Sequence, residues 1–110
     1  MIRSYDSRAI ELTHRPLKAE LAVTEGVTTA AAAGDTEGDI EVGVWEHSVG
    51  ESTDTEVEEV FVVVWGRGTV TCEQGGVIDL APGTIGILPA GSRTTWKITE
   101  TLRKVWITLA

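Results

Sequence analysis

The stretch EVEEVFVVVWGRGTV, residues 56–70, decides the fold. Two acids, Glu58 and Glu59, open a run of strongly apolar, β-branched residues that stops at Gly66-Arg67-Gly68. Such a run reads as a core strand, and the glycines read as the turn that ends it. Strand alternation sets Glu59, Phe61, Val63 and Trp65 on one face and Val60, Val62 and Val64 on the other. Both faces are apolar, so the strand needs cover on two sides. A barrel interior supplies one; an N-terminal segment or a second subunit supplies the other, and a homodimer is expected. Acids are costly to bury without a partner. The pair therefore marks either a solvated strand mouth or a site.

Short apolar runs punctuated by glycine and proline continue on both sides of this stretch. Residues 40–47 alternate, with Ile40, Val42 and Val44 opposed to Glu41, Gly43 and Trp45. Residues 69–73 resume after the Gly-Arg-Gly turn and end at Gln74-Gly75-Gly76, a hairpin-like signal. Residues 77–80 lead into Ala81-Pro82-Gly83, and 84–88 into Pro89-Ala90-Gly91. Residues 94–99 and 102–109 read as two closing strands. With a short edge strand within 8–23, the total is about eight strands, the number of a double-sheet jelly roll. Residues 28–38, TTAAAAGDTEG, read as a loop, because the alanine run favours helix but is too short to hold one. The expected organisation is an N-terminal arm over 1–39 and a barrel over 40–110.

A chain of 110 residues, 42% of them hydrophobic, suits one domain with one core. No run approaches the roughly 18 apolar residues of a membrane-spanning helix. The opening MIRSYDSRAIELTHRP has charges throughout and no apolar segment of the secretory kind. The net charge of −8 argues against nucleic acid and anionic membrane as partners, and Arg103-Lys104 is the only basic pair. A single cysteine, Cys72, forms no internal disulfide, in keeping with a reducing cytoplasm. It has no histidine nearby in sequence to activate it as a nucleophile.

Several motifs resemble the cupins. Glu59-x6-Gly66 resembles the end of the first cupin motif, and Gly83-x5-Pro89-x-Gly91 the start of the second, with 16 residues between Gly66 and Gly83. GVWEHSVG before the first motif and PAGSRTTWKITETLRKVWI after the second resemble small single-domain cupins of the ureidoglycine aminohydrolase-like (DUF861/cupin_3) group. The fold so implied is all-β, a double-stranded β-helix or jelly-roll barrel with an N-terminal arm. The resemblance also implies a metal site of two His in H-x-H, a Glu, and a third His after the PxG. Here Glu59 keeps the Glu position. Thr53 and Thr55, or Ser52 and Asp54, stand at the H-x-H, and Thr94 at the third His. Neutral hydroxyls are weak ligands for a transition metal, so no cofactor is expected. A divalent metal, if bound, would use Glu59 and His47 with nearby carboxylates.

By the same motif alignment the Glu59 and Thr94 faces point inward. The pocket would then hold Trp45, Glu59, Phe61, Thr94 and Trp96, with Arg93 beside it: aromatic walls and a few polar groups. Desolvation would raise the pKa of Glu59 and suit it to acid–base work. Alternatively Glu59 accepts hydrogen bonds from Arg93 or a backbone amide and only anchors the mouth, or Arg93 clamps a ligand carboxylate. Three functions follow: a small-molecule-binding cupin, a metabolic enzyme of aminohydrolase or isomerase type with Glu59 as acid–base or metal ligand, or a dimerisation module with a filled interior. Of the two acids, Glu58 is expected outward and Glu59 inward.

Overall fold

The structure, a computed structural model, describes residues 1–109, apart from the side chain of Ala33. Its regular structure is all β: β1 (Arg15–Pro16), β2 (Thr28–Glu37), β3 (Ile40–His47), β4 (Gly50–Thr55), β5 (Glu59–Cys72), β6 (Val77–Leu80), β7 (Ile85–Leu88) and β8 (Arg93–Leu109). Every pairing is antiparallel. The long strands β5 and β8 run through both layers. Residues 60–65 of β5 pair with 103–107 of β8, flanked by β7 on one side and β3, β2 and β1 on the other. Residues 68–72 pair with 94–98, flanked by β6 and β4. Phe61, Val63, Val70, Leu80, Leu88, Trp96, Ile98 and Leu102 form the core, with Trp45, Ile78 and Trp106 packed against it.

The ladder turns its corner at Gly66-Arg67-Gly68, where the β5–β8 register shifts three times between Val63 and Gly68. Bulges bend a strand and let it pass from one sheet to the next. Glycine is required there by contact. A Cβ on Gly66, whose φ is +97°, would lie 2.3 Å from the Thr101 carbonyl oxygen, and one on Gly68 would lie 2.2 Å from that of Lys97. The Gly-Arg-Gly segment is therefore a bulged bend inside one strand and not the turn expected from composition. On the facing strand, residues 94–99 and 102–109 are likewise one continuous β8.

Two further elements differ from expectation. Residues 28–37, read as a loop, are the ten-residue β2, with Ala30, Ala31 and Ala32 opposite Glu46, Trp45 and Val44. Alanine has little strand preference of its own, but cross-strand packing on β3 outweighs it. Residues 50–55 form β4 against the first half of β8. The bulge also moves Trp65 off the Glu59 face: it pairs with Arg103 while Val63 pairs with Lys104.

The corner generates a stability prediction. Gly66→Ala is expected to cost at least about 2 kcal/mol, combining positive φ with backbone collision. Gly38→Ala, also at positive φ but with nothing within 4 Å of its Cβ, should cost about 1 kcal/mol. Urea denaturation of both variants checks this; equal losses would show that the close approach at Thr101 is not the constraint.

Candidate functional site

Arg103 and Lys104 are neighbours on an extended strand, so their side chains leave it on opposite faces. Both are buried. Lys104 points into the barrel, where its Nζ donates to Glu59 Oε2 at 2.5 Å. The ammonium also lies 4.6 Å from the ring centroid of Trp45, 4.9 Å from Phe61 and 4.7 Å from Trp96. Carboxylate and aromatic faces both favour a cation there. The rings brace one another, with Trp45–Trp96 centroids 5.4 Å apart and Phe61–Trp96 5.8 Å.

Next to this pair, Glu56 Oε2 accepts hydrogen bonds from Thr94 Oγ1 at 2.6 Å and from Trp96 Nε1 at 3.0 Å. Burial and the charge of Glu56 push the Asp54 carboxyl above its usual value. Asp54 is open to water in the fold, so the push carries little weight for stability. Glu56, Glu59, Lys104, Trp45, Trp96 and Trp106 are among the residues that enclose a cavity of about 260 Å³. A larger one, about 450 Å³, lies between the turns after β5 and β7, lined by Cys72, Gln74, Ser92 and apolar side chains. No charged group reaches it, and Gln74 is spent on Cys72, Gly91 and Arg93. The chemistry is concentrated in the smaller cavity.

Of the residues singled out from sequence, Trp45, Glu59 and Trp96 meet at this cavity. Phe61 lies beneath, fully buried under the ammonium. Thr94 holds Glu56 and lines the larger cavity. Arg93 stands elsewhere: it is exposed on the outer face and paired with Glu73. Lys104, and not Arg93, is the partner of Glu59, because Arg93 alternates outward where Thr94 and Trp96 turn in. Glu58 faces out and is exposed.

His47 is wholly buried. Its Nδ1 lies 2.5 Å from the Ser48 carbonyl oxygen and its Nε2 2.8 Å from Ser52 Oγ. Burial lowers its pKa; the Ser48 contact opposes this, and the charges of His14 and Lys104 add to the lowering. A neutral ring that donates from Nδ1 and accepts at Nε2 satisfies both contacts.

Arg103, on the outer face, donates from Nε to Glu46 Oε2 at 2.7 Å and from Nη1 to the carbonyls of Ser7 and Ile10, both at 2.8 Å. Its guanidinium sits 4.6 Å from the Trp65 ring. His14 Nε2 completes the cluster, 2.7 Å from Glu46 Oε1, with Nδ1 2.9 Å from Thr28 Oγ1. Burial pushes the Glu46 carboxyl up, but the hydrogen bonds from His14 and Arg103 outweigh it and hold it below the usual range. This cluster fastens the N-terminal arm to the barrel. From sequence, Glu46 is singled out only as a carboxylate near His47 and Arg103-Lys104 only as a basic pair, and His14 has no assigned role. The usable signal was alternation along 102–109, which puts Lys104 on the face of Leu102 and Trp106.

The residues at the metal positions do not fit a divalent ion. Glu59 is held by Lys104, Ser52 by His47, and Thr94 by Glu56. Among the described residues no three His, Cys, Asp or Glu side chains gather as a metal-binding group.

The EutQ-like cupin domain family model matches residues 34–106. The chain belongs to this family. Its barrel is similar to that of the EutQ protein of Clostridium difficile, with a TM-score of 0.77 and 13% identity over 96% of this chain and 85% of that one. A DUF861-family protein of unknown function from Pseudomonas syringae aligns with a TM-score of 0.75 and 20% identity, over 91% of this chain and 45% of that one. A Rhizobium leguminosarum protein of unknown function aligns with a TM-score of 0.66 and 25% identity, over 74% and 80%. No curated protein matches the sequence. The family match places the chain among the small cupins that the motifs resemble, and the structural likenesses show the cupin jelly-roll fold.

The buried histidine sets the acid sensitivity. As pH falls through the ordinary value of 6.5, the unfolded chain takes a proton that folded His47 refuses. Stability from this site is whole above 6.5 and lost below it. Glu46 acts in the same sense at lower pH, its contribution being present above the ordinary value of 4.5 and lost as pH falls through the depressed one. The thermal midpoint should therefore decline on acidification below pH 6.5, and His47→Gln should flatten the upper part of that decline. An unchanged slope in His47→Gln would remove His47 from the account.

Proposed function

We propose that this cupin binds a small polar molecule in the cavity above the Glu59–Lys104 pair. The observation that carries the reading is convergence: Glu56, Glu59 and Lys104 meet three indole rings around one space. At about 260 Å³ the space is below the ~300 Å³ lower end of ordinary ligand pockets, so it suits a metabolite of few atoms. The indoles would take an apolar face of the ligand and the carboxylates its donors. No cofactor is invoked. The single cysteine supports a cytoplasmic setting, and no helix among the described residues is long and apolar enough to cross a membrane.

A second reading is catalysis on such a metabolite, of aminohydrolase or isomerase type, with Glu59 moving the proton. Its support is the 2.5 Å contact to Lys104, a donor and an acceptor already set within proton-transfer distance. A thermal-shift screen of small amines, amides and hydroxy acids separates the readings. Binders should raise the midpoint of the wild type and fail to do so in Glu59→Gln. A binder consumed in solution, by proton NMR, makes the protein an enzyme; a screen in which Glu59→Gln keeps every response overturns the assignment of the cavity.

We further propose a homodimer built on the outer face of β7, β5 and β8. There Val60 pairs with both Ile87 and Ile107, and Val62 with Ile85 and Val105, an uncharged row across three strands. Ile85 and Ile87 are 69% and 68% exposed. An uncharged β-branched face is complementary to itself under a twofold axis, and it keeps the acidic remainder of the two chains out of the contact. Light scattering should find dimers for the wild type and monomers for Ile87→Lys. A monomeric wild type at high micromolar concentration refutes this interface.

A further inference from the structure

The Glu59 carboxylate, the position that metal-binding cupins give to a metal ligand, is not free in this barrel. Lys104 reaches it from β8, with side chains 5% and 11% exposed for the lysine and the glutamate. The ammonium is also walled by the faces of Trp45, Phe61 and Trp96, all within 5 Å of their centroids. Four separate groups thus favour positive charge at one point, and that charge is supplied by the chain itself.

We propose that Lys104 is the resident cation of this barrel: its ammonium fills the seat beside Glu59 that a bound ion would otherwise take. The lysine neutralises Glu59 as an ion would, and it cannot dissociate. Three consequences follow from this arrangement alone. The folded protein holds no stoichiometric divalent metal at Glu59. Any ligand binding at the cavity is indifferent to chelators. Removing the lysine side chain leaves a cation-shaped hole, bounded by a carboxylate and three aromatic faces, that takes a small primary ammonium. None of these depends on which molecule the cavity binds.

The chemistry of the rescue is specific. Lys104→Ala deletes a three-carbon chain and its ammonium, which n-propylammonium replaces atom for atom. In Lys104→Ala, Glu59 remains as a buried carboxylate without a counter-charge. Breaking a buried pair on one side is strongly destabilising, so the thermal midpoint should fall by about 10 °C or more. Millimolar n-propylammonium should raise that midpoint saturably, whereas n-propanol and tetramethylammonium should not, and the wild type should respond to none of them. In parallel, wild-type protein equilibrated with Mn²⁺, Ni²⁺ and Zn²⁺ and then gel-filtered should elute without stoichiometric metal.

A wild type that retains one equivalent of metal, lost in Glu59→Gln, overturns the proposal. So does a Lys104→Ala variant stabilised equally by propylammonium and propanol, since that would make the lysine a packing element only. Should Lys104→Ala fail to fold, the neutral set Lys104→Met, Glu59→Gln and the double variant decides the matter. The proposal expects the double variant to lose less than the sum of the single losses, because the second substitution removes the orphaned partner. Additive losses would refute it.

Discussion

An extended strand must send adjacent side chains to opposite faces, and at Arg103-Lys104 this rule divides two cations between the inside and the outside of the barrel. Each becomes the centre of a different assembly. Inside, Lys104 gathers Glu59 and three aromatic rings; outside, Arg103 gathers Glu46, two arm carbonyls and Trp65. β8 supports both because it is the one strand that pairs with β3, β4 and β5. A one-residue slip in its register would exchange the two cations and place both in the wrong surroundings.

The two assemblies differ in what they contribute. A buried ion pair gives up hydration that its mutual attraction only partly restores, so the Lys104–Glu59 pair is weak evidence for stability. The ammonium lies against the rings of Trp45 and Trp96, two of the three indoles that line the cavity. Arg103 does mechanical work: its hydrogen bonds to the carbonyls of Ser7 and Ile10 satisfy backbone groups of the segment that precedes β1. There a side chain does for residues 7–10 what the β2–β3 ladder does for the rest of the arm.

Much of the architecture was legible where local pattern and tertiary role agree. Residues 40–47 and 77–80 have the limits expected of them, because alternation and flanking turns point the same way. Legibility failed where glycine or alanine acts through a partner. Gly66-Arg67-Gly68 has the composition of a turn, yet what fixes its role is the Thr101 and Leu102 backbone 35 residues away, which no local window contains. The Ala30–Ala32 run is a strand only because β3 lies beside it. At the site, the motif pointed to Glu59, and alternation brought Trp45 and Trp96 with it. Arg93 was misplaced outward-for-inward by its nearness to Thr94. Lys104 is hidden in sequence as half of a basic pair, and only the register of β8 separates the two side chains.

The same reasoning connects the absent histidines to the lysine. A carboxylate turned into an aromatic barrel needs a positive partner, whatever its evolutionary or chemical purpose. With hydroxyl side chains at the positions where imidazoles would hold a metal, an ion at Glu59 would lack most of its ligands and exchange with water. A cation tethered to β8 avoids that loss. Its position is set by backbone hydrogen bonds on both edges of the strand, and no free ion has to be captured. The Thr94 hydroxyl donates to Glu56, and Glu56 in turn accepts from the Trp96 indole, whose ring lies against the ammonium. Under the proposal that Lys104 is the resident cation, hydroxyls in place of imidazoles and an ammonium in place of an ion are one substitution in physical terms, joined through Glu56, Trp96 and Glu59.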